Sequence, residues 1–249
     1  MMASIRRIKT LTTRNIKEII RDPLGPVFLI AVPLFMEVLF YLAFHSLTSQ
    51  FAMSLLAPGI VVFSEAFLTL FAGLLISVDR NTSFLTRLYV SNASAHEFIL
   101  SYFFSLLPIA FVQSVLFLAV GGLLDPTFWS PYLLIGVLFS IITTALFLSF
   151  GVLFGSICNE KSIGGVSSIV IVSQSLLSGM WFPTEGLPQG FLVFMRVLPF
   201  KNATLLLQNG IAGVFSFEDT VMPLLIVLAY TAVVFVLAVL IFRKKMEEN

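Results

Sequence analysis

Six apolar stretches, each long enough to cross a lipid bilayer, dominate this 249-residue chain. They run approximately from Pro26 to Phe44, Leu55 to Val78, Phe98 to Gly121, Tyr132 to Ile157, Ile163 to Phe182 and Val221 to Phe242. A helix rises about 1.5 Å per residue, so roughly 20 residues traverse the ~30 Å of hydrocarbon in a bilayer. Backbone N–H and C=O groups in lipid find no water to bond, and a run of this kind must satisfy them internally as a helix. The expected fold is therefore an all-α integral membrane protein: a single membrane domain with a six-helix body over residues 26–242. Composition agrees, since 58% of the residues are hydrophobic and only 11% charged, against about 25% charged in an ordinary soluble domain.

Residues 1–22 precede the first run and are of a different kind. On a helical projection Ile5, Ile8, Ile16, Ile19 and Ile20 share one arc, while Arg6, Arg7, Arg14, Lys17 and Arg21 lie opposite. This is a basic amphipathic helix, expected to lie in the headgroup plane with its cations toward anionic membrane lipid or the cytoplasm. The alternative is a solvated helix docked on a partner. So many early cations do not suit a cleavable signal peptide, whose apolar core comes within the first 15 to 30 residues. The segment is expected to stay in the mature protein, and Asp22-Pro23 ends its helix because proline disfavours helical geometry in the residue before it.

Of the 14 lysines and arginines, all but Arg196 and Lys201 fall in four places: the N-terminal segment, the links between runs two and three and between runs four and five, and the residues after run six. The positive-inside rule then puts both termini in the cytoplasm, and the expected location is the cell's inner, cytoplasmic membrane. Net charge is only +1, so no field draws the chain to nucleic acid. Between runs five and six lies a long outer segment, residues 183–220. Its apolar part, Gly190 to Phe200, is interrupted by Arg196 and closed by Pro199. That is too short and too charged to span, and a re-entrant hairpin between the fifth and sixth helices is expected.

Catalytic and metal chemistry find little support. No G-x-x-x-x-G-K-S/T phosphate loop occurs in the sequence. His45 and His96 fall on opposite sides of the membrane, Cys158 is the sole cysteine, and no nucleophile and base set marks an intramembrane enzyme. The sequons at Asn81, Asn92 and Asn202 are of the frequency expected by chance. The informative polar residues are Glu37 and Glu65, near the middles of runs one and two, followed by Gln113 and Gln174. A carboxylate at the bilayer centre costs roughly 2.5 to 3.5 kcal/mol, so these side chains must face a substrate pathway, a cavity or another helix. Interhelical hydrogen bonds are the alternative reading of all four. Gly151 and Gly155 form G-x-x-x-G in run four, and Gly164, Ser168, Ser175 and Gly179 lie along one side of run five. Small residues at this spacing let helices approach closely, within one chain or across a dimer. The 27 phenylalanines serve as lipid-facing filler or line a path for apolar cargo.

Several motifs, in this order and on this topology, resemble the permease subunit of ABC type-2 exporters. They are Arg21-Asp22-Pro23 ahead of a first helix carrying Pro33, Asp79-Arg80 opening the first cytoplasmic loop, the block Ser178-Gly179-Met180-Trp181-Phe182-Pro183, then Leu187-Pro188 and Leu198-Pro199. The resemblance covers nearly the whole chain. Where the family usually has a glycine and a later proline in that loop, this chain has Ser83 and Asn92.

The resemblance implies a transport subunit without enzyme activity or cofactor of its own. ATP and Mg would be bound by separate ABC ATPase subunits, and a second permease chain would complete a homo- or heterodimer. It further implies that the loop from Asp79 to Glu97 docks the ATPase, with Asp79, Arg80, Arg87, Leu88 and Tyr89 carrying the coupling. The expected cargo is a hydrophobic or amphipathic drug, lipid or lipid-linked saccharide moved outward. Hydropathy alone equally allows a proton-coupled secondary transporter that uses Glu37 or Glu65.

Overall fold

A computed structural model describes residues 2–22, 25, 27–81, 95–184 and 186–247. Nine α-helices are described: α1 Met2–Arg21, α2 Val32–Phe44, α3 Met53–Asn81, α4 Ala95–Leu124, α5 Leu133–Ile157, α6 Glu160–Leu177, α7 Gln189–Val197, α8 Pro199–Ala212 and α9 Met222–Glu247. Single π-helical turns, Val27–Ala31 and Phe217–Val221, lead into α2 and α9.

The two π turns share one cause. Each stands just before a proline, Pro33 or Pro223, whose ring clashes with the carbonyl four residues back and which offers it no N–H. Those carbonyls belong to Leu29 and Asp219. Both receive a side-chain amide from another helix: Gln113 Nε2 of α4 donates to Leu29 O at 2.5 Å, and Asn209 Nδ2 of α8 to Asp219 O at 2.6 Å. The wide turns are thereby tied into the bundle.

α3 is the axis of the bundle. It packs against α2, α4, α5, α6 and α8, and 78% of its apolar window is buried, against 17% for α2 and for α9 at the periphery. The G-x-x-x-G of α5 makes its closest approach here. A Cβ on Gly151 would lie 2.8 Å from the Thr69 carbonyl oxygen, and one on Gly155 would lie 2.8 Å from that of Gly73. The motif is thus an intrachain contact of α5 with α3. Gly164 and Gly165 of α6 have open space where a Cβ would stand, and Ser168 is exposed.

Among the described residues, five helical segments are long and apolar enough to cross a membrane alone, and the α7–α8 pair would make a sixth if it were one span. Helix positions assign the sixth crossing to α6 instead. Arg80, at the end of α3, reaches the carbonyls that close α5, just before α6 begins. Ile163 of α6 packs over Gly73, and Met180 just beyond α6 packs over Gly59, so the segment runs along α3 across this stretch. Its 18 residues rise about 27 Å.

The expected fifth run extended to Phe182, but the helix ends at Leu177. Gly179 turns the chain with φ 75°, and Gln50 Nε2 donates to the Gly179 and Met180 carbonyls at 2.7 and 3.1 Å. Met180 and Trp181 are apolar because this turn is packed over α3, with the Trp181 ring against Phe40 and Phe63. At the start of α6, Asn159 and Ser162 form a reciprocal capping box.

α7 and α8 meet at 80°. Pro199 forces Leu198 into an extended conformation, φ −76° and ψ 151°, and Asn202 Nδ2 then bonds the Arg196 and Leu198 carbonyls left open by the break. α8 starts inside the bundle, where Phe200 stacks on Phe150 in the last third of α5. It ends at the Gln50 side, where Ile211 covers Gly136. The chain enters and leaves this pair on the same side, so the pair is re-entrant as expected.

Candidate functional site

The described charges concentrate at the Arg80 end of the bundle. α1 is amphipathic as expected, and it packs along the first third of α4. Asn15 Nδ2 donates to Ser101 Oγ at 3.3 Å, Thr12 Oγ1 donates to Ser101 O at 3.4 Å, and Ile19 joins Leu106, Leu68 and Phe71 in one apolar cluster. Placing a helix this way costs little, because its docking face carries small polar and aliphatic side chains between two arginines.

Those arginines clamp it. Arg7 grips Glu97 of α4 in a two-pronged contact, Nε to Oε2 at 2.9 Å and Nη2 to Oε1 at 2.8 Å. Arg14 grips Asp79 of α3 in the same manner, with Nη2 to Oδ1 at 2.6 Å, and also pairs with Glu18 one turn on. Tyr102 of α4 donates its hydroxyl to Asp79 as well. Asp79 and Tyr102 are each 1% exposed, whereas the Arg14 side chain is 35% exposed. Planar guanidinium forks suit carboxylates in this geometry, and ionised partners roughly double the strength of a hydrogen bond.

Electrostatics favour the ionised arginines. The hydrogen bond to Glu97 pushes Arg7 above its usual pKa. At Arg14 burial works the other way, but the hydrogen bond and charge of Asp79, followed by Glu18, outweigh it and the pKa rises. Glu18 is pushed up by burial, against the pull of Arg14. Arg80, the neighbour of Asp79, points elsewhere: its Nη1 donates to the Gly155 and Ser156 carbonyls of α5 at 2.7 and 2.6 Å and to Cys158 O at 3.3 Å. A cation there satisfies the open carbonyls of a helix C-terminus and complements its dipole. Of the expected coupling residues, Asp79 and Arg80 thus anchor α3 to α1, α4 and α5. Arg87, Leu88 and Tyr89 lie outside the described residues.

The four polar residues inside the membrane body are spread over separate helix interfaces. Glu37 follows Leu29 and Pro33 on the buried stripe of α2, and neither carboxyl oxygen has a hydrogen-bond partner among the described residues. Glu65 of α3 is wholly buried beside the Thr143 and Thr144 hydroxyls of α5 without closing a hydrogen bond of ordinary geometry. Gln113 binds Leu29 O, and Gln174 Nε2 of α6 donates to Thr204 Oγ1 of α8 at 2.9 Å. The two glutamines therefore act as interhelical ties, while their Oε1 atoms are unpartnered among the described residues.

Sequence reasoning did not find Arg7, Arg14 and Tyr102 as partners of this cluster. The helical projection did not mark the two arginines, because Arg7 and Arg14 stand opposite the isoleucine arc together with Arg6, Lys17 and Arg21. No group of three or more potential metal ligands occurs among the described residues.

No curated protein matches the chain. The ABC-2 type transporter family matches residues 6–212, a span that starts beside Arg7 and ends with α8, and so takes in the clamp, α2 to α6 and the re-entrant pair. A bundle of membrane-crossing helices with this match is a transport permease, and the chain belongs to the ABC-2 type transporter family.

Proposed function

We propose that this permease is the membrane subunit of an ATP-driven exporter, with both termini cytoplasmic, working with a second permease chain and two separate ABC ATPase subunits that bind ATP and Mg. The observation that carries the reading is the family match combined with the clamps on either side of residues 82–94. Asp79 before that segment and Glu97 after it are both held by α1. A push on the segment would move α1, α3 and α4 as one unit. ATP binding can drive such a switch only through contacts that differ between its two states. The cargo class is a hydrophobic or amphipathic drug, lipid or lipid-linked saccharide, in keeping with an apolar membrane body.

For the second chain the supporting surface is the outward side of α6. Ile169, Val172 and Leu176 are exposed there, and Gly164 and Gly165 have nothing within 4 Å of a built Cβ. Small residues on an uncovered membrane helix permit close packing of a partner helix.

The test is copurification with the ATPase subunit, then ATP-dependent uptake of candidate cargo into inside-out vesicles. Replacing Leu88 and Tyr89 by aspartate is expected to leave insertion intact and lower ATPase capture at least tenfold. Undiminished capture and transport in that variant refute the docking role.

One observation favours a second reading. Glu37 and Glu65 are buried carboxyls without a hydrogen bond of ordinary geometry among the described residues, in keeping with a proton-coupled secondary transporter. Transport that persists without the ATPase, collapses with the proton gradient and is lost in Glu65→Gln would establish it in place of the exporter.

A further inference from the structure

The outward side of α1 is an open groove of about 1080 Å³, lined by Arg6, Lys9, Arg14, Lys17 and Arg21 among its basic residues and by Glu18 and Asp22 among its acidic ones. Arg14 is committed to Asp79 and Glu18. Arg6, Lys9, Lys17 and Arg21 are exposed and have no ion-pair partner among the described residues. Among the described residues the groove therefore holds a surplus of uncompensated cations.

Two further features identify what suits it. First, its level is fixed by the other side of the same helix, which binds Asp79 and Glu97. Asp79 and Glu97 stand within one residue of an end of the membrane-crossing segments Met53–Arg80 and His96–Leu124. The groove thus lies where hydrocarbon gives way to headgroups. Second, Ile5 and Ile20 are 57% and 71% exposed and stand on the arc between the docking face and the basic face. An exposed aliphatic strip beside a row of cations matches acyl chain beside phosphate, whereas an acidic protein surface would leave the isoleucines uncovered.

We propose that the α1 groove binds the phosphate headgroup of an anionic phospholipid. The inference rests on the membrane placement of α1 given above and is independent of the exporter reading. Each basic residue near an anionic surface changes lipid preference about fivefold.

The test uses the full chain alone in detergent, titrated with phosphatidylglycerol and with phosphatidylcholine and read by native mass spectrometry. The wild type is expected to retain phosphatidylglycerol at least about a hundredfold more tightly, the compounded effect of its unpaired cations. In the variant Lys9→Gln, Lys17→Gln, Arg21→Gln that preference should fall by about fivefold for each cation removed. A control with the same change in net charge, glutamate placed at Ser46, Gln189 and Ala212 on the opposite side, should keep it. Equal retention of both lipids by the wild type overturns the proposal, as does an unchanged preference in the triple variant or an equal loss in the control. Displacement of the lipid by inorganic phosphate would assign the groove to a free anion and also overturn it. Loss of ATPase capture in the triple variant with lipid preference unchanged would assign it to a protein partner. Because lipid retention is read on the chain alone, failure of the wild type to capture an ATPase subunit would count against the exporter and leave the lipid result standing.

Discussion

Arg14→Gln removes the two-pronged partner of a carboxylate that is 1% exposed. Breaking a fully buried ion pair from one side costs about 3 to 5 kcal/mol, because the remaining charge is left in a poor solvent. Arg14 is 35% exposed, so water already screens part of the pair, and a discounted cost of about 2 to 3 kcal/mol is expected. Asp79→Asn is milder. The asparagine carbonyl still accepts from Tyr102, and Arg14 can turn toward Glu18 and water, for a loss of about 1 kcal/mol. The double variant should lose less than the sum of the two, with a coupling of about 1 to 2 kcal/mol. Helix content followed by circular dichroism during SDS titration of the full chain measures all three differences against the wild type. Thermal midpoints should move by about 2 to 4 °C per kcal/mol for a chain of this size. Strict additivity of the two single variants, or an Arg14→Gln chain as stable as the wild type, would refute the claim that this pair holds α1 to α3.

Gly151→Ala and Gly155→Ala should each destabilise the isolated chain by about 1 to 3 kcal/mol, since the new Cβ would meet backbone oxygens at 2.8 Å. Gly164→Ala, which meets nothing within 4 Å, should be near neutral in the same unfolding titration. Gln113→Leu nearly keeps the side-chain volume but strips the Leu29 carbonyl of its donor beside Pro33, so its expected cost of about 1 to 3 kcal/mol reports the hydrogen bond and not lost packing volume. Single cysteines at Gln189 and Asn209, in a Cys158→Ser background, should react with an impermeant thiol reagent on intact cells. Labelling only after the membrane is opened would place the re-entrant pair on the cytoplasmic side.

The architecture was legible to the extent that it follows from hydrophobic length and charge. All six expected runs form helices, and Pro199 marks the re-entrant break because its effect on Leu198 is local. The fifth run was misjudged at its end for a physical reason. Met180, Trp181 and Phe182 are as apolar as a continuing helix would be, but a turn that is itself buried needs the same residues, and hydropathy does not distinguish a buried turn from a buried helix. Gly179, with φ 75°, was the one residue that separated the two.

The site divided along similar lines. Asp79 and Arg80 stood out because the pair opens the first expected cytoplasmic loop as in the family resembled, and the structure adds that both are tied to neighbouring helices. Which partners was not legible, since Arg14 and Asp79 are 65 residues apart and Arg7 and Glu97 are 90 apart. Nothing local encodes a pairing across that distance; it follows from α1 folding back along α4, and that placement depends on Asn15, Thr12 and Ile19 fitting Ser101 and Leu106. Arg80 is more instructive still. In the sequence it counts among the basic residues that set the expected orientation, and the family resemblance adds an expected coupling role. Its three hydrogen bonds to the carbonyls that close α5 add a structural role, because Arg80→Gln would preserve the orientation set by the remaining cations yet leave the C-terminus of α5 uncapped. Substitution by lysine, which keeps the charge but replaces the guanidinium with a shorter side chain ending in an ammonium, separates the expected topology signal from the packing role.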